Sequence, residues 1–207
     1  MKGRPILFSG PMVRAILEGR KTVTRRVMKP QPDFLGSMVD PNTPFKTLDA
    51  GLHARITCPH GQPDDRLWVR EAWAADAQVD AIAPRDLSQG EPIWYPADFS
   101  VRQTGCSMIS KGRGRPSIHM PRWASRILLE ITAVRVERLQ DISEEQALAE
   151  GVRGEPCDHA RQACSDIGCW GDTAKGAFGF LWEQLNGAGA WQANPWVWVV
   201  EFKRVTP

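Results

Sequence analysis

Apolar and polar positions along the chain mark out helices and strands separated by long irregular stretches. Met12, Ala15, Ile16 and Leu17 form an apolar stripe at helical spacing, Pro11 suits a first helical position and Gly19 is a natural stop, which predicts a first helix. The segment LEGRKTVTRR, residues 17–26, is therefore the exit of that helix, and it should run on extended or as a turn. Residues 66–73, RLWVREAW, alternate, with Leu67, Val69, Glu71 and Trp73 on one face and Arg66, Trp68 and Arg70 on the other, as a strand does. Ile127 to Val136 is nearly all apolar or β-branched and is the strongest strand candidate. Ser143 and Gln146 then make a capping box for a short helix closed by Gly151. AFGFLWEQLNG reads as a third helix stopped at Asn186-Gly187, and NPWVWVVEFKRV as a last strand with Trp196, Trp198, Val200 and Phe202 on one face.

Between these elements the pattern breaks down. Residues 28–65 are rich in Pro, Gly, Asp and Asn without a sustained period, and residues 75–120 are again irregular, closing in the basic, glycine-rich SKGRGRPSIHMPR, where a mobile loop is expected. Strands and helices do not alternate as in repeated βαβ units and no internal repeat is visible, so an α+β fold around a curved or barrel-like sheet fits best.

Composition narrows the function classes. A chain of 207 residues with 42% hydrophobic content suits one domain, 1–207, with elaborate loops. The net charge of +2 sets up no global field for nucleic acid, so such a partner has to be argued from local clusters. No stretch has the length of a membrane span or the pattern of a signal peptide, and a cytoplasmic protein is expected. Five cysteines without a secretory signal point to free thiols or a metal site rather than to a disulfide framework. Of the nine tryptophans, Trp73, Trp123, Trp191, Trp196 and Trp198 lie in apolar or strand-like contexts and should be core or pocket wall.

The order of pieces, with G-x-K-T-x-T-x-R standing as Gly19, Lys21, Thr22, Thr24 and Arg26 behind the first helix, resembles the ASCH domain of the PUA-like superfamily, in its larger phage and prophage versions. The resemblance covers about half the chain and implies a PUA-like curved sheet or small β-barrel with flanking short helices and long insertions at about 30–62, 75–122 and 152–175. Small bacterial members hydrolyse N4-acetylcytidine, and by motif their lysine, threonine and glutamate fall on Lys21, Thr24 and Glu150. An amidohydrolase without a catalytic cofactor is thus one implied function. The alternatives are an RNA- or DNA-binding module of phage origin without turnover, and a ribonuclease.

The residues themselves support part of this. A threonine hydroxyl needs an adjacent base, and a lysine serves if desolvation or neighbouring cations favour its neutral form. Lys21 stands among Arg20, Arg25 and Arg26. Glu150 falls in the last turn of its short helix, where the macrodipole disfavours a carboxylate by roughly 0.3–1 kcal/mol, which suits a proton donor. In the other reading, Glu144, Glu145 and Glu150 are the wet face of a surface helix. Arg20, Thr22, Arg25, Arg26 and Lys29, with Lys111, Arg113 and Arg115 beside Gly112 and Gly114, are candidates for phosphate contacts, or a solvated basic face. Arg70, Glu71 and Trp73 are candidates for a pocket lining, Trp73 as a stacking surface, or else a structural ion pair and a core tryptophan.

Cys157, His159, Cys164 and Cys169 place four soft ligands within one short insertion, as a tetrahedral structural zinc requires. Their spacing is not the usual pair of two-residue knuckles, so buried thiols or a redox pair compete with the metal, and Cys58 with His53 and His60 is a weaker cluster. Elemental analysis of protein purified without added metal separates these readings: stoichiometric zinc is expected from a metal site, none from thiols.

Overall fold

The structure, a computed structural model, describes residues 3–36, 40–103, 105–153 and 173–205. It is mixed α and β. The main sheet has the order β1-β6-β9-β10-β2, formed by β1 (Gly3–Leu7), β6 (Arg66–Arg70), β9 (Leu128–Arg138), β10 (Trp196–Val205) and β2 (Val23–Val27). The sheet is open, with β1 and β2 as its edges, so among the described residues the open-sheet alternative holds and no barrel closes. No helix among them is long and apolar enough to cross a membrane.

The chain divides into two compact units. The first comprises Met1–Gly19, Asp64–Ile131 and Lys203–Pro207. In it β1 runs parallel to β6, with Ile6 opposite Val69, and β6 is antiparallel to β9, with Leu67 opposite Leu129. Helix α1 (Gly10–Leu17) starts with Pro11 in its first turn and is released at Gly19, which adopts φ +75°. Its buried residues are Val13, Ala15 and Ile16; Ala15 and Ile16 belong to the predicted stripe, whereas Met12 and Leu17 are only half-buried.

The stretch expected to be irregular, with a mobile basic loop, is instead the second half of this unit's core. A hairpin of β7 (Ile93–Tyr95) and β8 (Ser100–Arg102) packs Ile93 and Tyr95 with Trp73, Ala75, Leu87, Met120 and Ala124. Two polar side chains fasten the loops around it. The Asp76 carboxylate accepts from the backbone N–H groups of Gln78, Ile109 and Ser110, and buried Arg115 donates to the carbonyls of Val79 and Ile82. These contacts join residues more than thirty positions apart, which no local period reports.

The second unit comprises Arg20–Pro63 and Thr132–Phe202. Here β10 is antiparallel to β2 in a register that puts Val23 opposite Glu201, Arg25 opposite Val199 and Val27 opposite Val197. Paired residues share a face. That face packs Val23, Val197 and Val199 against Ala147 of α2 (Glu144–Ala149) and Ala174, Phe178 and Trp182 of α3 (Ala174–Asn186), with Leu139, Ile142 and Trp191. The predicted capping box is present, Gln146 N–H donating to Ser143 Oγ and Gln146 Oε1 accepting from Ser143 N–H. Helix α3 is capped by Thr173, and the Glu144 carboxylate accepts from its first two N–H groups. The Pro- and Gly-rich excursion carries a small antiparallel sheet, β3 (Phe34–Leu35), β4 (Pro44–Thr47) and β5 (His53–Arg55), where Phe34 stacks on Phe45 and meets the His53 ring edge-on. The strands of this sheet and of the hairpin are too short for a pattern of their own.

Gly112 tests how tightly the basic loop is packed. A Cβ there would lie 2.5 Å from Asp80 Oδ1 and 2.9 Å from the Ala75 carbonyl oxygen, so Gly112→Ala should destabilise the protein by about 1–3 kcal/mol, read as a lowered urea midpoint; a mobile loop would leave the midpoint unchanged.

Candidate functional site

The signature segment closes the end of a helix. β2 is an edge strand, and α2 leaves four C-terminal carbonyls without partners inside the helix. Three successive residues answer three successive carbonyls: Thr22 N–H donates to Ala149 O (2.9 Å), Lys21 Nζ to Glu150 O (2.8 Å) and Arg20 to Gly151 O (2.9 Å). Cations at the negative end of the helix also complement its macrodipole. The concentration of basic residues after Gly19 thus has a local physical cause.

At the centre of this arrangement Lys21 is 2% exposed and Glu150 3% exposed, with Lys21 Nζ 2.7 Å from Glu150 Oε2. Lys21 Nζ donates as well to Val23 O at 2.7 Å, so the three N–H bonds of an ammonium meet three oxygens. Burial lowers the Lys21 pKa, opposed by Glu150 and aided by the Arg26 and Arg25 guanidiniums. The direction is the one expected from the neighbouring cations, but desolvation is the leading cause.

The other oxygen of Glu150 accepts from Arg25, whose NH1 lies 3.3 Å from Oε1. The Arg25 side chain is fully buried and also donates through NH2 to Gln146 Oε1 (2.7 Å) and Glu137 Oε2 (3.0 Å). Glu137 in turn accepts from Arg135, which bridges to Glu201. Thr24 is buried and stands on the other face of β2, opposite Val200 and beside Arg26, which faces Trp198. The Val23 carbonyl held by Lys21 belongs to the peptide that leads into Thr24, yet among the described residues the Thr24 hydroxyl makes no hydrogen bond. Arg26 is largely buried, and burial lowers its pKa against the attraction of Glu150.

The expected residues therefore separate. Lys21, Glu150, Arg25 and Arg20 meet around the end of α2, with Thr24 and Arg26 on the adjoining strand and the Thr22 side chain exposed. Of the glutamates read as one wet helix face, Glu144 and Glu145 are exposed, but Glu150 is not. Arg20 and Arg25, proposed as phosphate contacts, spend their guanidiniums on Gly151, Glu137, Gln146 and Glu150.

Arg70, Glu71 and Trp73 belong to the first unit. Trp73 has no exposed surface and lies beneath Arg115, so its ring is core and offers no face to a base. Glu71 is paired with Arg126, at 2.9 Å through both carboxylate oxygens, and not with Arg70, which stacks over Trp68. Burial raises the Glu71 pKa in spite of that pairing. Arg115 is likewise buried in loop contacts, whereas Lys111 and Arg113 are exposed, Lys111 over the Trp94 ring.

Sequence reasoning missed Gln146 and Glu137 as partners of Arg25, and Arg135 and Glu201 beyond them. The available signal was spacing, since Gln146 and Glu150 are four apart on one helix and Arg135 and Glu137 two apart on one strand. Cys157, His159, Cys164 and Cys169 lie outside the described residues; among those described, no group of three or more His, Cys, Asp or Glu is placed to hold a metal, Cys58, His53 and His60 included.

No family model matches the sequence, and no curated protein does. A crystal structure of an ASCH domain from Lactobacillus crispatus aligns over 98% of this chain and 79% of its own, at 11% identity and a TM-score of 0.37.

A buried pair of this kind is recognised by its coupling. Lys21→Met and Glu150→Gln should each cost about 3–5 kcal/mol in urea unfolding, because each takes the nearest counter-charge from a buried ion, and the double variant should cost clearly less than their sum. The exposed Lys46–Asp33 pair serves as the control, with a coupling of about 1 kcal/mol or less.

Proposed function

We propose that this protein is a hydrolase that cleaves the amide of an acylated nucleoside of the N4-acetylcytidine type, with Thr24 as nucleophile, Lys21 as its base and Glu150 as the proton carrier. The observation that carries the reading is the dry Lys21–Glu150 contact beside the Thr24 peptide. Replacing such a pair by apolar side chains is often neutral or stabilising, and strongly perturbed buried groups cluster at functional sites.

The geometry also states what Lys21 must do first. All three of its N–H bonds are donated, so it has no lone pair until one proton leaves. Val23 O and Glu150 O are carbonyls, which leaves Glu150 Oε2 as the acceptor within reach. After that transfer the neutral amine takes the Thr24 hydroxyl proton as Oγ1 bonds to the acyl carbon, and the carbonyl π pair moves onto its oxygen beside the Arg26 cation. Return of that pair breaks the C–N bond, and the proton held by Glu150 goes to the leaving nitrogen. A water, deprotonated through the same pair, hydrolyses the threonine ester and releases the carboxylic acid.

Binding of RNA or DNA without turnover is the competing function, and it makes the opposite demand on Thr24. On N4-acetylcytidine, Thr24→Ala should reduce hydrolysis by roughly a thousandfold or more, and Lys21→Met similarly, because residues acting as one unit fail together. Hydrolysis by Thr24→Ala at the wild-type rate, followed by loss of the substrate's absorbance, would remove the assignment.

A further inference from the structure

We propose that Arg25 is a positioning residue that clamps one oxygen of Glu150, leaving the other to exchange its proton with Lys21. The kinetic part of this inference rests on the hydrolase reading above; the clamp itself does not.

Arg25 projects from β2 on the same face as Val23 and Val27, into the apolar packing between the strands and α2 and α3. A fully buried guanidinium among valines is costly unless it is paired, and here its two terminal nitrogens are held by two elements at once, Glu137 from β9 and Gln146 and Glu150 from α2, while Nε has no hydrogen-bond partner among the described residues. Gln146 and Glu150 are one turn apart, so a single guanidinium holds both along one side of a helix of six residues. A carboxylate held by Lys21 alone is free to turn either oxygen, or both, toward the ammonium. With Oε1 engaged by Arg25, only Oε2 faces Nζ. The chain continues outward from Glu137 to Arg135 and half-exposed Glu201, so the clamp is itself braced by strands β9 and β10.

The groups facing the Lys21 ammonium are Glu150 from the end of α2 and Arg25 and Arg26 from β2. Arg25 is a like charge for Lys21, so removing it favours the protonated lysine. Transfer of the Lys21 proton to Glu150 Oε2 then becomes less favourable, and the chemical step slows.

The test uses the full chain in three variants. Arg25→Gln removes the charge and the clamp; Gln146→Ala removes the shortest bond that holds Arg25; Ser143→Ala breaks the same helix cap as Gln146→Ala but leaves Arg25 held. With N4-acetylcytidine, Arg25→Gln and Gln146→Ala should lower kcat by about 10–100-fold with KM nearly unchanged, since misplacement of a catalytic group acts on the chemical step. Ser143→Ala should turn over normally. Arg25→Gln should also move the Lys21 midpoint, followed by NMR of lysine-labelled protein, upward by roughly one pH unit. Equal losses in Gln146→Ala and Ser143→Ala, or an unmoved Lys21 midpoint in Arg25→Gln, would overturn the clamp. If Arg25→Gln does not fold, the contrast between Gln146→Ala and Ser143→Ala decides. If the wild-type protein does not hydrolyse the substrate, the hydrolase reading fails alone, and the NMR midpoints of wild type, Arg25→Gln and Gln146→Ala still decide the clamp.

Discussion

A lysine ammonium shut away from water must find oxygen for every N–H it carries, and in this protein that requirement ties the end of a helix to the edge of a sheet. Lys21 takes two carbonyls and one carboxylate oxygen, and two of the three belong to Glu150. Helix α2 is too short to persist on its own propensity. It holds because its first turn is closed by the Ser143–Gln146 box, its last carbonyls are taken by Arg20, Lys21 and Thr22, and Ala147 is buried against β2 and α3. Covering the outer edge of β2 in this way also keeps an otherwise unpaired strand edge from other chains.

In the proposed reaction the same contacts that stabilise the ammonium restrain it as a base. Two of its acceptors are carbonyls and cannot keep a proton, so in the proposed reaction the Lys21 proton passes to Glu150 Oε2. Burial favours the neutral amine, while the carboxylate favours the cation, and Arg25 and Arg26 oppose the carboxylate. The balance is set by parts of the chain far from the signature: Glu137 on β9 and Gln146 on α2 fix Arg25, and Arg25 fixes the remaining oxygen of Glu150. In the first unit an equally buried carboxylate, Glu71, has both oxygens on Arg126, and Arg126 continues to Asp98 and Ser100. Among the described residues no lysine or threonine bonds to the Glu71–Arg126 pair, and its arrangement reads as structural.

What the sequence made legible was local. The proline start and glycine stop of α1, the long strand β9, the Ser143–Gln146 box and the final strand each follow from a period or a capping residue that acts within a few positions. The approach of Lys21 to Glu150 was suggested by motif, and the register of β2 against β10 explains why Arg25, and not Thr24, shares the face of the apolar core. The remainder depended on distant partners. Trp73 stayed open between a stacking surface and a core residue because nothing in RLWVREAW announces Ile93, Tyr95 and Met120 around it, which make it core. Arg115 looked solvated because its acceptors, Val79 and Ile82, are backbone carbonyls more than thirty residues earlier. Arg25 looked like a phosphate ligand because its three partners are spread over β9 and α2.

In the proposed reaction Thr24 Oγ1 is the atom that carries the acyl group between the two halves. Mass spectrometry of protein quenched by acid during turnover of N4-acetylcytidine tests that claim directly. An acetyl group on Thr24, in the peptide that also contains Lys21, is the predicted result. Substrate consumed steadily while Thr24 stays unmodified, or an acetyl group found reproducibly on another side chain, would contradict it.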